Sequence, residues 1–211
     1  MQIIECFTSL QGESTRAGEK CFFIRLSGCN LRCNYCDTVY AYTGGTEYSI
    51  AQLIELAKTS GVHLVEITGG EPLLSTETPE LCRELLTCGF EVMIETNGSL
   101  PVDVIPEGVK RIIDCKLPDS GMFEHNCFDN FKNLSAGDEI KFVVSYRRDF
   151  DCALQLIRDY DLESSPAVLL VSPVWGKVDF ADLADWVKNT GVRLKMQLQL
   201  HKLIWGNAPG V

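Results

Sequence analysis

Apolar residues recur along this chain in short, near-continuous runs, separated by turns and by stretches of helical period. The runs at 21–27 (CFFIRLS), 64–68 (LVEIT), 90–95 (FEVMIE), 109–114 (VKRIID), 139–145 (EIKFVVS), 167–172 (AVLLVS) and 194–200 (LKMQLQL) read as strands. Several lack the alternation of a half-exposed strand, which predicts cover on both faces. Helices are predicted between some of them. Ser49 caps a run in which Ile50, Leu53, Ile54 and Ala57 share a face until Gly61. Thr78-Pro79 opens a second, with Leu81, Leu85 and Leu86 inward and Gly89 at the stop. A third gathers Asp149, Ala153, Leu154 and Ile157, and a fourth Asp179, Leu183, Trp186, Val187 and Gly191. Alternating β and α predicts parallel strands with right-handed crossovers. Two crossovers break the pattern: 96–110 is too rich in Pro and Gly for a helix, and 116–138 has no helical period. The expected fold is an α/β, barrel-like sheet with fewer than one helix per strand. Its 211 residues fall short of a complete eight-unit barrel, which takes about 250.

No repeat, low-complexity tract or linker divides the sequence, so 1–211 reads as one domain. No run approaches the ~18 apolar residues of a membrane span, and MQIIECF lacks the form of a secretory signal. Net charge is −10, which disfavours nucleic acid or an anionic membrane as the main partner, because both need neutralising cations. The ten cysteines are then expected as thiols or metal ligands in a reducing, cytoplasmic compartment.

The strongest chemical signal is Cys29-x-x-x-Cys33-x-x-Cys36, directly after the first barrel strand. A structural zinc site wants a fourth ligand, and the nearest histidine is His63. Core thiols suit the polar surroundings of Gly28, Asn30, Arg32, Asn34 and Asp37 poorly. A [4Fe–4S] cluster on three cysteines, with one iron left open, fits best.

Chemistry in such barrels sits at the C-terminal ends of strands. There the sequence places Thr68-Gly69-Gly70-Glu71-Pro72, then Glu95-Thr96-Asn97-Gly98, Asp114-Cys115-Lys116 and Ser172-Pro173-Val174-Trp175. Paired glycines let backbone approach a ligand closely. Ser9-Leu10-Gln11-Gly12-Glu13 reads, taken alone, as a polar surface turn. Alternation puts Cys21, Phe23, Arg25 and Ser27 on one strand face. An inward Arg25 needs an anion: either a structural partner such as Glu13 or a substrate carboxylate. The chain stays apolar and aromatic through His201-Lys202-Leu203-Ile204-Trp205 to Val211, so the tail is expected to dock, with its terminal carboxylate available.

Together, LQGE, Arg25, GCxxxCxxCDT, TGGEP, ETNG and the LHKLIWGNAPGV ending resemble the 7-carboxy-7-deazaguanine synthase family of the radical S-adenosylmethionine (SAM) superfamily, over nearly the whole chain. The resemblance implies a modified partial TIM barrel with about six core parallel strands, and a homodimer reduced by flavodoxin or ferredoxin. It also implies a [4Fe–4S] cluster, SAM and Mg²⁺ as cofactors. The implied reaction takes 6-carboxy-5,6,7,8-tetrahydropterin to 7-carboxy-7-deazaguanine with release of ammonia, in queuosine and 7-deazapurine biosynthesis. Carried onto matching positions, Cys29, Cys33 and Cys36 hold the cluster, and Thr38 offers oxygen to Mg²⁺. SAM is expected at Tyr35, Asp37, Gly69, Gly70, Glu71, Glu95, Asn97, Asp114–Lys116 and Ser172–Trp175. The pterin is expected at Leu10, Gln11, Gly12, Glu13, Arg25, Thr68, His201 and Val211. No side chain is assigned as catalytic, since the radical arises on SAM. The family often has a Ser-Pro-Lys-like segment at 114–116, and only Lys116 matches it. Two other readings share parts of the pattern: a glycyl-radical-activating enzyme that acts on a protein, and a non-catalytic zinc module.

Overall fold

A computed structural model of the chain describes residues 1–206, 208 and 210. One nine-stranded sheet carries the fold, in the order β3-β1-β2-β4-β5-β6-β7-β8-β9. Its strands are β1 Gln2–Leu10, β2 Lys20–Leu26, β3 Thr46–Glu47, β4 Leu64–Gly69, β5 Glu91–Thr96, β6 Lys110–Cys115, β7 Glu139–Val144, β8 Val168–Pro173 and β9 Lys195–Met196. From β2 through β9 neighbours are parallel, whereas β1 runs antiparallel to β2 and β3. The order does not return on itself, so the sheet is an open, partial barrel.

Helices α1 Ile50–Ser60, α2 Thr78–Thr87, α3 Arg147–Asp159 and α4 Phe180–Lys188 lie where the periodicity predicts them. Ser49 and Gln52 form a reciprocal capping box on α1, and Gly61 ends it in the left-handed conformation at φ 64°. The crossovers at 96–110 and 116–138 hold no α-helix. The outward-facing Phe22, Ile24, Val65, Ile67, Val92, Ile94, Ile113, Ile140, Phe142 and Val171 pack with the helices into the main core.

Two elements depart from expectation. β1 is a full strand, and the segment after it is no surface turn: Gln11 and Ser14 are buried. Phe7 of β1 stacks on Phe23, with ring centroids 5.0 Å apart, which anchors the strand despite its polar residues. The run 194–200 contributes only the two residues of β9. Among the described residues, no strand pairs on the far side of β9. The chain instead turns into a short helix, α5 Leu200–Trp205, with Leu200 N–H donating to Gly12 O at 2.8 Å.

Candidate active site

Side chains of a parallel strand alternate between faces, and the register fixes which residues share the inner one. Phe23 lies beside Glu66 and Glu66 beside Met93, while Arg25 lies beside Thr68. Across the sheet Asp114 lies beside Lys141. The inner face is therefore layered. Cys21, Phe23, Leu64, Met93 and Ile112 close its base as a small apolar cluster. Glu66 stands level with Phe23 and Met93, and above them stand Arg25, Thr68, Glu95, Asp114 and Lys141, all lining a cavity of 740 Å³ that opens at the C-terminal strand ends.

Cys29, Cys33 and Cys36 all reach this cavity as free, partly exposed thiols. Their loop is anchored, not frayed. Leu31 is buried beneath it, Gly28 N–H donates to Ala41 O at 2.8 Å, and Asn34 N–H donates to Ser120 O at 3.0 Å. Tyr35 also faces the cavity, its buried hydroxyl without a hydrogen-bond partner. Three thiols converging on one open space fit a cluster that keeps one iron free. Among the described residues, no group of three or more His, Cys, Asp or Glu is gathered as a single-ion site would need.

The Thr68–Pro72 turn presses against that loop. A Cβ on Gly70 would overlap Gly28 O and stand 2.7 Å from Cys29 Cβ, so only glycine leaves backbone open there. Glu71 is placed differently from expectation. Fully buried, its carboxylate accepts from Leu73 N–H at 2.9 Å, Thr96 Oγ1 at 2.8 Å and Asn97 N–H at 2.7 Å. It staples the ends of β4 and β5 from behind and does not line the cavity. Cys115 belongs to the outer core, and Ser172 and Pro173 are buried off the cavity. Gly69, Gly70, Glu95, Asn97, Asp114, Lys116, Val174 and Trp175 do line it.

Arg25 meets Glu5, which it faces across the β1–β2 pairing, with Nε donating to Oε1 at 2.8 Å. Glu13 is not its partner. Glu13 instead takes Lys141 Nζ at 2.9 Å and Gln199 Nε2 at 2.9 Å. Burial opposes ionisation of Glu13, but Lys141, the Gln199 hydrogen bond and His201 together outweigh it and hold the carboxyl below its ordinary range. Lys141 also pairs with Glu95 and lies 3.9 Å from Asp114. Burial disfavours its charge, yet these carboxylates hold its pKa well above the usual lysine value. Asp114 in turn accepts from Lys116 Nζ at 2.7 Å. Glu5, Glu66 and Lys141 were not predicted from sequence. The available signal was a charge inside an apolar strand, as in LVEIT and EIKFVVS.

The tail closes one side. His201 sits over Gly12, whose missing side chain makes room for the ring; a Cβ there would lie 3.0 Å from His201 Cγ. Lys202 Nζ lies 3.1 Å from Asp37 Oδ2, tying α5 to the cysteine loop. Thr38 Oγ1 donates to Asp37 Oδ1 at 3.0 Å, so two oxygen-bearing side chains stand together at the cavity. Leu10, Gln11, Glu13 and Thr68 also line the cavity. Val211 lies outside the described residues.

Residues 23–187 match the radical SAM superfamily. The chain is 40% identical to 7-carboxy-7-deazaguanine synthase of Koribacter versatilis over 97% of each chain. It is also 40% identical to that of Chlorobaculum tepidum, over 100% of this chain and 97% of the relative. The crystal structure of QueE from Escherichia coli superposes with a TM-score of 0.70 at 26% identity, covering 93% of both chains. These relatives set aside the zinc-module and protein-activating readings. With a cysteine triplet, a paired-glycine turn and a charged interior on one cavity, the chain belongs to the radical SAM superfamily and, within it, to the 7-carboxy-7-deazaguanine synthase family.

Proposed function

We propose that this chain converts 6-carboxy-5,6,7,8-tetrahydropterin to 7-carboxy-7-deazaguanine with release of ammonia, acting as a single domain over 1–211 with a [4Fe–4S] cluster, SAM and Mg²⁺. The full-length likeness to two synthases at 40% identity carries this reading. When bound, the cluster and SAM supply one-electron cleavage of the sulfonium and, from it, abstraction of a substrate hydrogen atom. The protein's part is placement. Cys29, Cys33 and Cys36 offer thiolates on one side of the cavity. Gly69 and Gly70 expose backbone beside them, and Tyr35, Asp37, Glu95, Asn97, Asp114, Lys116, Val174 and Trp175 surround the SAM position. Arg25 spends its Nε on Glu5, which leaves the rest of its five-donor fork for a substrate carboxylate. Leu10–Glu13, Thr68 and His201 wall the pterin, and the apolar base excludes water beneath it.

Thr38 and Asp37 present hard oxygen atoms, the chemistry Mg²⁺ prefers, and that ion is commonly held by only one or two protein ligands. Thr38→Ala is expected to weaken the Mg²⁺ response of turnover while leaving iron content unchanged. An identical Mg²⁺ titration would remove Thr38 from this role. The exposed Leu203, Ile204 and Trp205 of α5 support a homodimer, with flavodoxin or ferredoxin as electron donor in the cytoplasm. Among the described residues, no helix is long and apolar enough to cross a membrane.

The deciding experiment is anaerobic incubation of the reconstituted protein with reductant, SAM, Mg²⁺ and the tetrahydropterin, followed by mass spectrometry. The expected product is lighter than the pterin by one ammonia. Cleavage of SAM without that product would overturn the substrate assignment.

A further inference from the structure

Glu66 stands at the base of the cavity and belongs to none of the contacts above. It is 2% exposed, lies between Phe23 and Met93 in register, and lines the cavity. Gln11 Nε2 donates to its Oε2. The orientation of that amide is fixed from the other side: Gln11 Oε1 accepts Glu13 N–H at 2.9 Å, so the nitrogen must face Glu66. Gln11 is itself buried, 4% exposed. Among the described residues, Glu66 Oε1 makes no hydrogen bond. A buried carboxyl with one oxygen committed and the other uncommitted at a cavity is a group positioned for a ligand.

We infer that Glu66, oriented by Gln11, is a further specificity-determining residue whose uncommitted oxygen meets the carbonyl of the substrate's pyrimidinone ring. This rests on the pterin reading above and assigns that ring its place. The protonation state agrees with it. Burial first, then the neighbouring Glu95, push the Glu66 carboxyl well above its ordinary range; Lys141 and Arg25 oppose this, and Glu13 adds to it. The neutral form is therefore favoured. With Oε2 already accepting from Gln11, the proton belongs on Oε1, which becomes a donor. Glu95, two residues beyond Met93 on the adjacent strand, is an acceptor diagonal to it. A 2-amino-4-oxopyrimidine edge presents the complement: a carbonyl acceptor next to a ring N–H donor. Two residues further along β4, about 6.6 Å up the strand, Thr68 stands beside Arg25. A flat bicyclic ring resting on Glu66 thus directs its carboxylate toward the arginine.

The test combines steady-state kinetics on 6-carboxytetrahydropterin with equilibrium binding of the fluorescent analogue 6-carboxypterin. Glu66→Val is expected to raise KM and the analogue Kd about tenfold, with a smaller change in kcat, as for loss of one buried hydrogen bond. Glu66→Gln keeps a donor beside an acceptor and is expected to stay within about threefold of wild type. The wild type supplies an independent reading. It should bind 6-carboxypterin about tenfold more tightly than 2,4-diaminopteridine-6-carboxylate, whose amino group replaces the carbonyl. Equal wild-type affinity for the two analogues overturns the inference even if the valine variant fails to fold. So does an unchanged KM in Glu66→Val, or a tenfold rise in Glu66→Gln, while wild type turns the pterin over. A wild type that neither binds 6-carboxypterin nor converts the tetrahydropterin overturns the functional reading itself, and the assignment of Glu66 with it.

Discussion

Lys141→Met is expected to destabilise the protein by about 3–5 kcal/mol at pH 7, the cost of removing one partner from a buried charge network. Lys141 is 4% exposed and holds Glu13 at 2.9 Å and Glu95, with Asp114 at 3.9 Å. Methionine matches its volume, so the loss arises from charge and not from a cavity. The pH dependence carries the diagnosis. In the wild type Glu13 is held below its ordinary pKa, so its contribution is present above the unfolded-state value and is lost as pH falls through the folded value. Without the lysine, burial, the largest influence on Glu13, is opposed only by the Gln199 hydrogen bond and the weaker pull of His201, and the carboxyl is expected to rise above that value. The native variant then binds more protons than its unfolded chain, and its stability rises as pH drops from 7 toward 5. Urea denaturation at both pH values measures this. A variant within about 1 kcal/mol of wild type at pH 7 would mean that Lys141 does not organise the interior.

The parts of this molecule that sequence makes legible are those whose physics is local. β2 and β4 through β8 stand out because strands covered on both faces are apolar along their length. The caps of α1 are visible because Ser49 and Gly61 act within one turn of the helix they bound. The cysteine triplet and the paired glycines are contiguous, so their spacing speaks for itself. What stays hidden depends on pairing. β1, with Glu5, Thr8 and Ser9 in nine residues, has no clean apolar period; it is a strand because β2 offers it an edge. Without β1, the register that sets Glu5 opposite Arg25 is invisible, and Glu13 looks like the natural partner. Glu71 is misread for a related reason. A strand-end carboxylate can turn toward the cavity or toward orphan backbone N–H groups, and Leu73 and Asn97 supply those groups only once β4 and β5 lie side by side.

Gly70→Ala is expected to abolish turnover, a loss of at least about 100-fold, with little change in the helices or the outer core. The added methyl would overlap Gly28 O and press within 2.7 Å of both Gly28 C and Cys29 Cβ. That carbonyl cannot swing aside cheaply, because Glu71 N–H holds it at 2.8 Å while Gly70 N–H donates to Leu26 O at 3.3 Å. Nor can the glycine turn retreat, since the Glu71 carboxylate pins it from behind to Thr96 and Asn97. The clash must be relieved in the cysteine loop, moving Cys29 relative to Cys33 and Cys36. One methyl group therefore disturbs the thiol triplet and the backbone beside it together, and the two readouts should fall together: iron and sulfide retained per chain after reconstitution, and SAM binding by calorimetry. A variant that keeps wild-type iron and SAM affinity would show that the two loops are not coupled through Gly28, and that the close approach of Gly70 is incidental to the site.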